Sequence, residues 1–119
     1  MNFEDFYANL DEETKKRFQE LQIYEQTFEQ ILEQEKLIDL EVDEINYTIN
    51  EIEKAEGEIF KLVGHYAVIK TEKNKFIEEL NHKKELLTLN KKNLEKQRKV
   101  YEERIEEIKK RIIDKVSKK

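Results

Sequence analysis

Twelve residues in the middle of the chain, Ile59 to Lys70 (IFKLVGHYAVIK), break the repeat on either side of them, and this interruption decides what the chain can become. On both flanks apolar residues recur in alternating steps of three and four, the spacing of a coiled-coil seam. The middle alternates with a period of two and reads as a β-hairpin turning at Gly64 and His65. A continuous rod would need the repeat to run on. The sequence therefore predicts a mainly α fold, a long antiparallel two-helix coiled-coil hairpin with one β-hairpin at its bend. The expected boundaries are 11–57 for the first helix, 58–71 for the hairpin and 72–116 for the second helix, within one domain of 1–119. A lone two-stranded ribbon is marginal in water, so an oligomer assembled through the middle segment is expected.

Composition supports an elongated helical protein. Hydrophobic residues make up 37% of the chain and charged residues 43%, too few and too many for a compact globule of 119 residues. Proline is absent and the two glycines, Gly57 and Gly64, both stand near the proposed bend. No apolar run approaches the roughly 20 residues of a membrane span, and the N-terminus has no basic-then-apolar signal pattern, so a cytoplasmic protein without membrane contact is expected. Without cysteine there is neither disulfide nor thiolate metal site. Charge is segregated: residues 1–57 hold 17 acidic and 5 basic side chains, and residues 73–119 hold 9 acidic and 16 basic. Folding the acidic helix back on the basic one sets opposite fields together, whereas a parallel homodimer would oppose like charges. Each exposed pair contributes only about 0.2–1 kcal/mol, so the pattern selects topology more than it supplies stability.

The first seam runs Leu21, Tyr24, Phe28, Ile31, Glu35, Ile38, Val42, Ile45, Ile49 and Ile52, and the second Ile77, Leu80, Lys84, Leu87, Lys91, Leu94, Arg98, Tyr101, Ile105, Ile108 and Ile112. Asn9 or Asp11 can cap the first helix, Thr71 the second, and Gly57 can end the first. If Ile52 faces Ile77, Phe28 falls near Tyr101 and Glu35 near Leu94, with Lys91 and Arg98 a layer to either side. Glu35 then either locks the register against those bases or reaches out to water together with them from a thin seam.

A two-residue turn at Gly64 and His65 opposes Val63 to Tyr66, Leu62 to Ala67, Lys61 to Val68 and Phe60 to Ile69. Alternation then collects Phe60, Leu62, Ala67 and Ile69 on one apolar face that has no core in its own chain. Both ribbon edges are open as well. A closed barrel built from several such hairpins satisfies both needs, so Phe60, Leu62, Val63, Gly64, Tyr66, Ala67, Val68 and Ile69 are the expected oligomer interface.

The run Phe60-Lys61-Leu62-Val63-Gly64, followed by Val68-Ile69-Lys70-Thr71 and Phe76-Ile77-Glu78-Glu79-Leu80, resembles the aromatic-Lys-x-x-Gly hairpin and E-E-L helix start of β-class prefoldin subunits. Phe18-Gln19-Glu20-Leu21 with Tyr24 and Gln26, and Leu94-Glu95-Lys96-Gln97, look like the flanking helix patterns of that family. The resemblance spans roughly residues 14 to 112. It departs at Tyr66-Ala67, where an aliphatic pair is common, and in the N-terminal extension with Phe3, Phe6 and Tyr7, which matches no family pattern. The resemblance implies an ATP-independent co-chaperone subunit without a cofactor. It would join prefoldin α-class subunits, two α with four β, in a β-barrel body from which coiled-coil arms hang, hold unfolded polypeptides at the arm tips and deliver them to a group II chaperonin. In this chain the tips are the termini, where Phe3, Phe6, Tyr7 and Leu10 stand at i, i+3, i+4 and i+7 and Ile112, Ile113 and Val116 lie opposite. These seven are the expected client-binding residues; the competing reading folds Phe3 to Leu10 onto the last turn of the second helix.

Catalytic patterns are weak. Glu79 and His82 match one Glu-x-x-His pair, but a di-iron site needs two such pairs and further inward glutamates, and Leu80 on the seam turns both away from it. His65 has no nucleophile placed beside it, and there is no glycine-rich phosphate loop. A non-enzyme is expected. The rival functions are a nucleic-acid-binding arm, using Lys91, Lys92, Lys96, Arg98 and Lys99 as a basic stripe, and a passive scaffold. The acidic first helix opposes the former by neutralising the stripe.

Overall fold

The computed structural model describes residues 2–117. In chain order the elements are α1 (Phe3–Ala8), α2 (Glu12–Lys54), β1 (Ile59–Val63), β2 (Ala67–Thr71) and α3 (Lys73–Ser117). The expected first helix is α2, and a short helix, α1, precedes it. Asn2 caps α1 by accepting a hydrogen bond from the Asp5 amide at 2.8 Å, with Glu4 and Asp5 at the positive end of the helix dipole. Asn9 ends α1, and Asp11 starts α2 by accepting the Thr14 amide at 2.8 Å. Of the two candidate caps for the long helix, Asp11 is therefore the one used. At the other end α2 stops at Lys54, three residues before the expected boundary, and Gly57 takes a φ of +92° in the linker that follows. Thr71 does not cap α3; it is the last strand residue, and the first turn of α3 opens from the Glu72 carbonyl, which accepts the Phe76 amide at 2.9 Å.

Packing divides into two units, residues 1–34 with 94–119, and residues 35–93. In the second unit Asp39 pairs with Lys91 at 2.5 Å, and Asn46 Oδ1 accepts from Lys84 Nζ at 3.0 Å. Numbers rising on one helix as they fall on the other make these segments antiparallel. Glu41 and Lys83 add an ion pair of 3.0 Å. Ile38, Ile45, Ile49 and Ile52 are buried here, as is the seam acid Glu35. Lys73 Nζ closes the bend by donating to the carbonyls of Glu53 at 2.8 Å and Ala55 at 3.3 Å, at the negative end of α2.

In the first unit Leu10, Ile31, Leu94, Ile105, Ile108 and Ile112 form the buried set. The Tyr101 ring packs edge-on against Tyr24 at 5.7 Å, with the Arg104 guanidinium 5.8 Å from the Tyr24 ring and 5.6 Å from the Tyr101 ring. This places the aromatic partner one turn before Phe28, the residue expected there; the edge-to-face geometry and the shared cation favour the two tyrosines. Every seam position named from the heptad spacing, on both helices, is buried or half-buried.

The junction between α1 and α2 generates a pH prediction. The Thr14 side chain and then the Thr14 amide hold the Asp11 carboxyl well below the usual carboxylate range, and Lys115, 3.2 Å away, adds to this. The buried Thr14 hydroxyl acts on that carboxyl from beside it without completing a hydrogen bond, so the amide, bonded at 2.8 Å, defines the cap. A carboxyl whose folded value is depressed contributes fully above its unfolded value of about 3.9 and loses that contribution as pH falls toward the folded value. Asp11→Ala should therefore lower the melting temperature at pH 7, and the gap to the parent should narrow only below about pH 4. Thermal melts of both proteins across this range check it. The buried acid gives a second prediction: Glu35→Lys should cost about 1–3 kcal/mol in chemical denaturation, against within about 0.5 kcal/mol for Glu29→Lys at an exposed position.

Candidate interaction surfaces

The ribbon pairs Ile59 with Thr71, Phe60 with Lys70, Lys61 with Ile69, Leu62 with Val68 and Val63 with Ala67. This is one residue out of the expected register. Gly64, at φ +65°, supplies the left-handed residue of the turn, and Tyr66, expected to pair with Val63, lies in a three-residue loop and is 99% exposed. Since side chains alternate with a period of two, the slip moves every β2 residue to the opposite face relative to β1. Ala67 and Ile69 leave the face of Phe60 and Leu62, and Val68 replaces them, beside Lys70.

Burial agrees with this register. Ile59, Lys61 and Thr71, all on one face, are half-buried, and Lys61 lies 3.1 Å from Glu79 and 5.7 Å from the Phe76 ring centroid. That face is laid on the start of α3. The opposite face, Phe60, Leu62 and Val68, is open to solvent, with Leu62 65% exposed. Val63, Ala67 and Ile69 on the packed face remain exposed toward the loop end. All eight expected interface positions are accordingly solvent-facing in the single chain, and they divide between two faces and a loop instead of forming one face.

The terminal set does not behave as one group. Leu10 and Ile112 are 8% and 6% exposed and belong to the core of their unit. Phe6, Tyr7 and Val116 are half-buried. Phe3 and Ile113 stand out, 64% and 62% exposed. Residues that sequence reasoning did not place explain the difference. Phe18 on α2 meets Phe3 edge-on at 6.2 Å and Tyr7 at 6.1 Å, so α1 docks onto α2 through three rings. The Tyr7 hydroxyl accepts from the Gln19 amide at 3.3 Å. Asn2 three residues ahead of Asp5 was the legible signal for this helix. The competing reading is thus partly right: α1 folds back, but principally onto the first turns of α2, with Asp11 reaching Lys115 of α3.

Two members of the basic stripe, Lys91 and Arg98, are paired within the fold. Lys91 binds Asp39, Lys83 binds Glu41, and Arg98 lies 3.3 Å from Glu102. Glu79, of the lone Glu-x-x-His pair, is taken by Lys61. No cluster of His, Cys, Asp or Glu suited to a metal occurs among the described residues, and no helix among them is long and apolar enough to cross a membrane.

Comparison with known proteins fits this architecture. The prefoldin subunit family matches residues 12–119. Prefoldin subunit beta of Thermococcus onnurineus is 32% identical over 106 residues, covering 87% of this chain and 90% of that protein. Prefoldin subunit beta of Saccharolobus islandicus is 30% identical over 104 residues, covering 86% and 79%. The crystal structure of the prefoldin beta subunit from Thermococcus strain KS-1 superposes with a TM-score of 0.80 at 28% identity, over 89% of this chain and 94% of that one. With the family matched over residues 12–119 and the beta subunits over nearly the whole chain, helices and ribbon together, the chain belongs to the prefoldin subunit family, in its beta class, a family of chaperone subunits and not of enzymes.

Proposed function

We propose that this chain is a subunit of an ATP-independent co-chaperone. It assembles with prefoldin α-class subunits, two α with four β, through a barrel of hairpins, holds unfolded polypeptides at the termini of its helices, and passes them to a group II chaperonin. One observation carries the reading: Phe60, Leu62 and Val68 form an open apolar face on a ribbon whose two edges are unpaired among the described residues. Exposed strand edges recruit strands, and an apolar face of this kind is stable in water only when covered. Burying three such side chains contributes several kcal/mol per subunit at about 25 cal/mol per Å². Client contact falls to the exposed members of the terminal set, Phe3 and Ile113, supported by the half-buried Phe6, Tyr7 and Val116, while Leu10 and Ile112 hold the unit together. Several arms on one body would engage a non-native chain at several weak points, so avidity supplies a grip that no single contact has.

Replacing Phe60 and Leu62 together by Asp should dissociate the oligomer in sedimentation velocity while the far-ultraviolet helix signal stays near the parent's; an unchanged sedimentation coefficient would refute assembly through the ribbon. Removing residues 1–9 and 113–119, which spares the core residues Leu10 and Ile112, should leave the oligomer assembled but abolish its suppression of aggregation of a denatured protein, with no nucleotide present. Persistence of suppression at the same stoichiometry would move client contact elsewhere.

A further inference from the structure

Two grooves open in the unit formed by residues 1–34 and 94–119. The first, of about 390 Å³, is lined by the rings of Phe3, Tyr7 and Phe18 and runs out at Gln22 and Glu25. The second, of about 790 Å³, begins at the same Gln22 and Glu25 and continues over Phe28 and Ile105, rimmed by Glu29, Glu102 and Glu106 against the single lysine Lys109. They form one track, aromatic at one end and apolar-floored with an acidic rim at the other. Glu102 is engaged by Arg98. Glu25, Glu29 and Glu106 have no ion pair among the described residues. Ring faces attract cations as well as apolar groups, and Lys15 already lies 5.8 Å from the Tyr7 ring centroid.

We propose that this track selects the segments it holds: extended stretches of non-native polypeptide in which lysine or arginine alternates with large apolar residues. Side chains on an extended chain alternate in direction, so such a segment lays apolar groups on the Phe18, Phe28 and Ile105 surface while its cations meet the Glu25, Glu29 and Glu106 carboxylates. Acidic segments of equal apolar content are repelled. The inference rests on the client-holding reading above and names its substrate class.

Short labelled peptides of equal length test it, with leucine and phenylalanine alternating with lysine, glutamine or glutamate, titrated into the assembled oligomer by fluorescence anisotropy. The lysine peptide should bind about five- to tenfold tighter than the glutamine peptide, the sum expected of a few exposed ion pairs, and the glutamate peptide weaker still. High salt should erase the ranking. Combined Glu25→Gln, Glu29→Gln and Glu106→Gln should bring the lysine and glutamine peptides to equal affinity. Combined Asp43→Asn, Glu44→Gln and Glu51→Gln, which remove as many negative charges outside the track, should leave the advantage in place. Binding blind to peptide charge, or a lysine advantage that survives the track substitutions, overturns the proposal while client holding stands. Failure of all three peptides to bind overturns both.

Discussion

A two-stranded ribbon cannot cover both its faces, and the rest of this molecule follows from that. One face is laid on the start of α3 through Lys61, Phe76 and Glu79, which fixes the ribbon to its helix. The other face and both edges have nothing within the described chain to cover them. That leaves Phe60, Leu62 and Val68 exposed to solvent at the bend, the surface on which the proposed assembly rests. The bend itself is held from the helix side by Lys73 on the last carbonyls of α2. A positive end group there satisfies acceptors that the helix leaves open, so the helix terminus and the ribbon are secured by adjoining residues of one segment.

The seam is an economical core. Isoleucine dominates its buried positions, and each contributes about 1.5–3 kcal/mol when removed from water, whereas the cross-helix ion pairs are solvent-exposed and weak. Their value lies in what they forbid. Asp39 with Lys91, Glu41 with Lys83 and Asp11 with Lys115 each bring an acid of the first half to a base of the second. A slip by a heptad would break these matches, and a parallel pairing of two copies would face acid with acid. Specificity here is electrostatic and stability is apolar.

What the sequence made legible follows the same division. Seam positions could be read because a period of 3.5 leaves no other way to bury a narrow stripe, and every one named in advance is buried or half-buried. The ribbon's existence could be read from its period of two. Its register could not, because a two-residue and a three-residue loop both begin with glycine at positive φ, and only the fate of Tyr66 distinguishes them. A one-residue error was enough to assign Ala67 and Ile69 to the wrong face. The long-helix start was legible as one of two caps. Helix α1 had only its Asn2 cap as a sign, since six residues give too little periodicity to show a docked helix, and its partner Phe18 read as part of the long helix.

Two of the exposed apolar surfaces on this chain, the ribbon face and the terminal surface, call for different partners. The ribbon face is small, geometrically regular and flanked by open hydrogen-bonding edges, so a partner there would have to supply both a strand and an apolar face in fixed register, as the folded subunits proposed above would. The terminal surface has no such edges. Phe3 and Ile113 project singly, the rings of Phe3, Tyr7 and Phe18 meet at open edge-to-face angles, and the adjoining groove is irregular. Nothing there imposes a backbone register, so contact depends on side-chain character alone. A surface without a backbone register would suit polypeptides that have no fixed structure, the role proposed for it above, and would lose its hold on them once folding withdrew the side chains it touches.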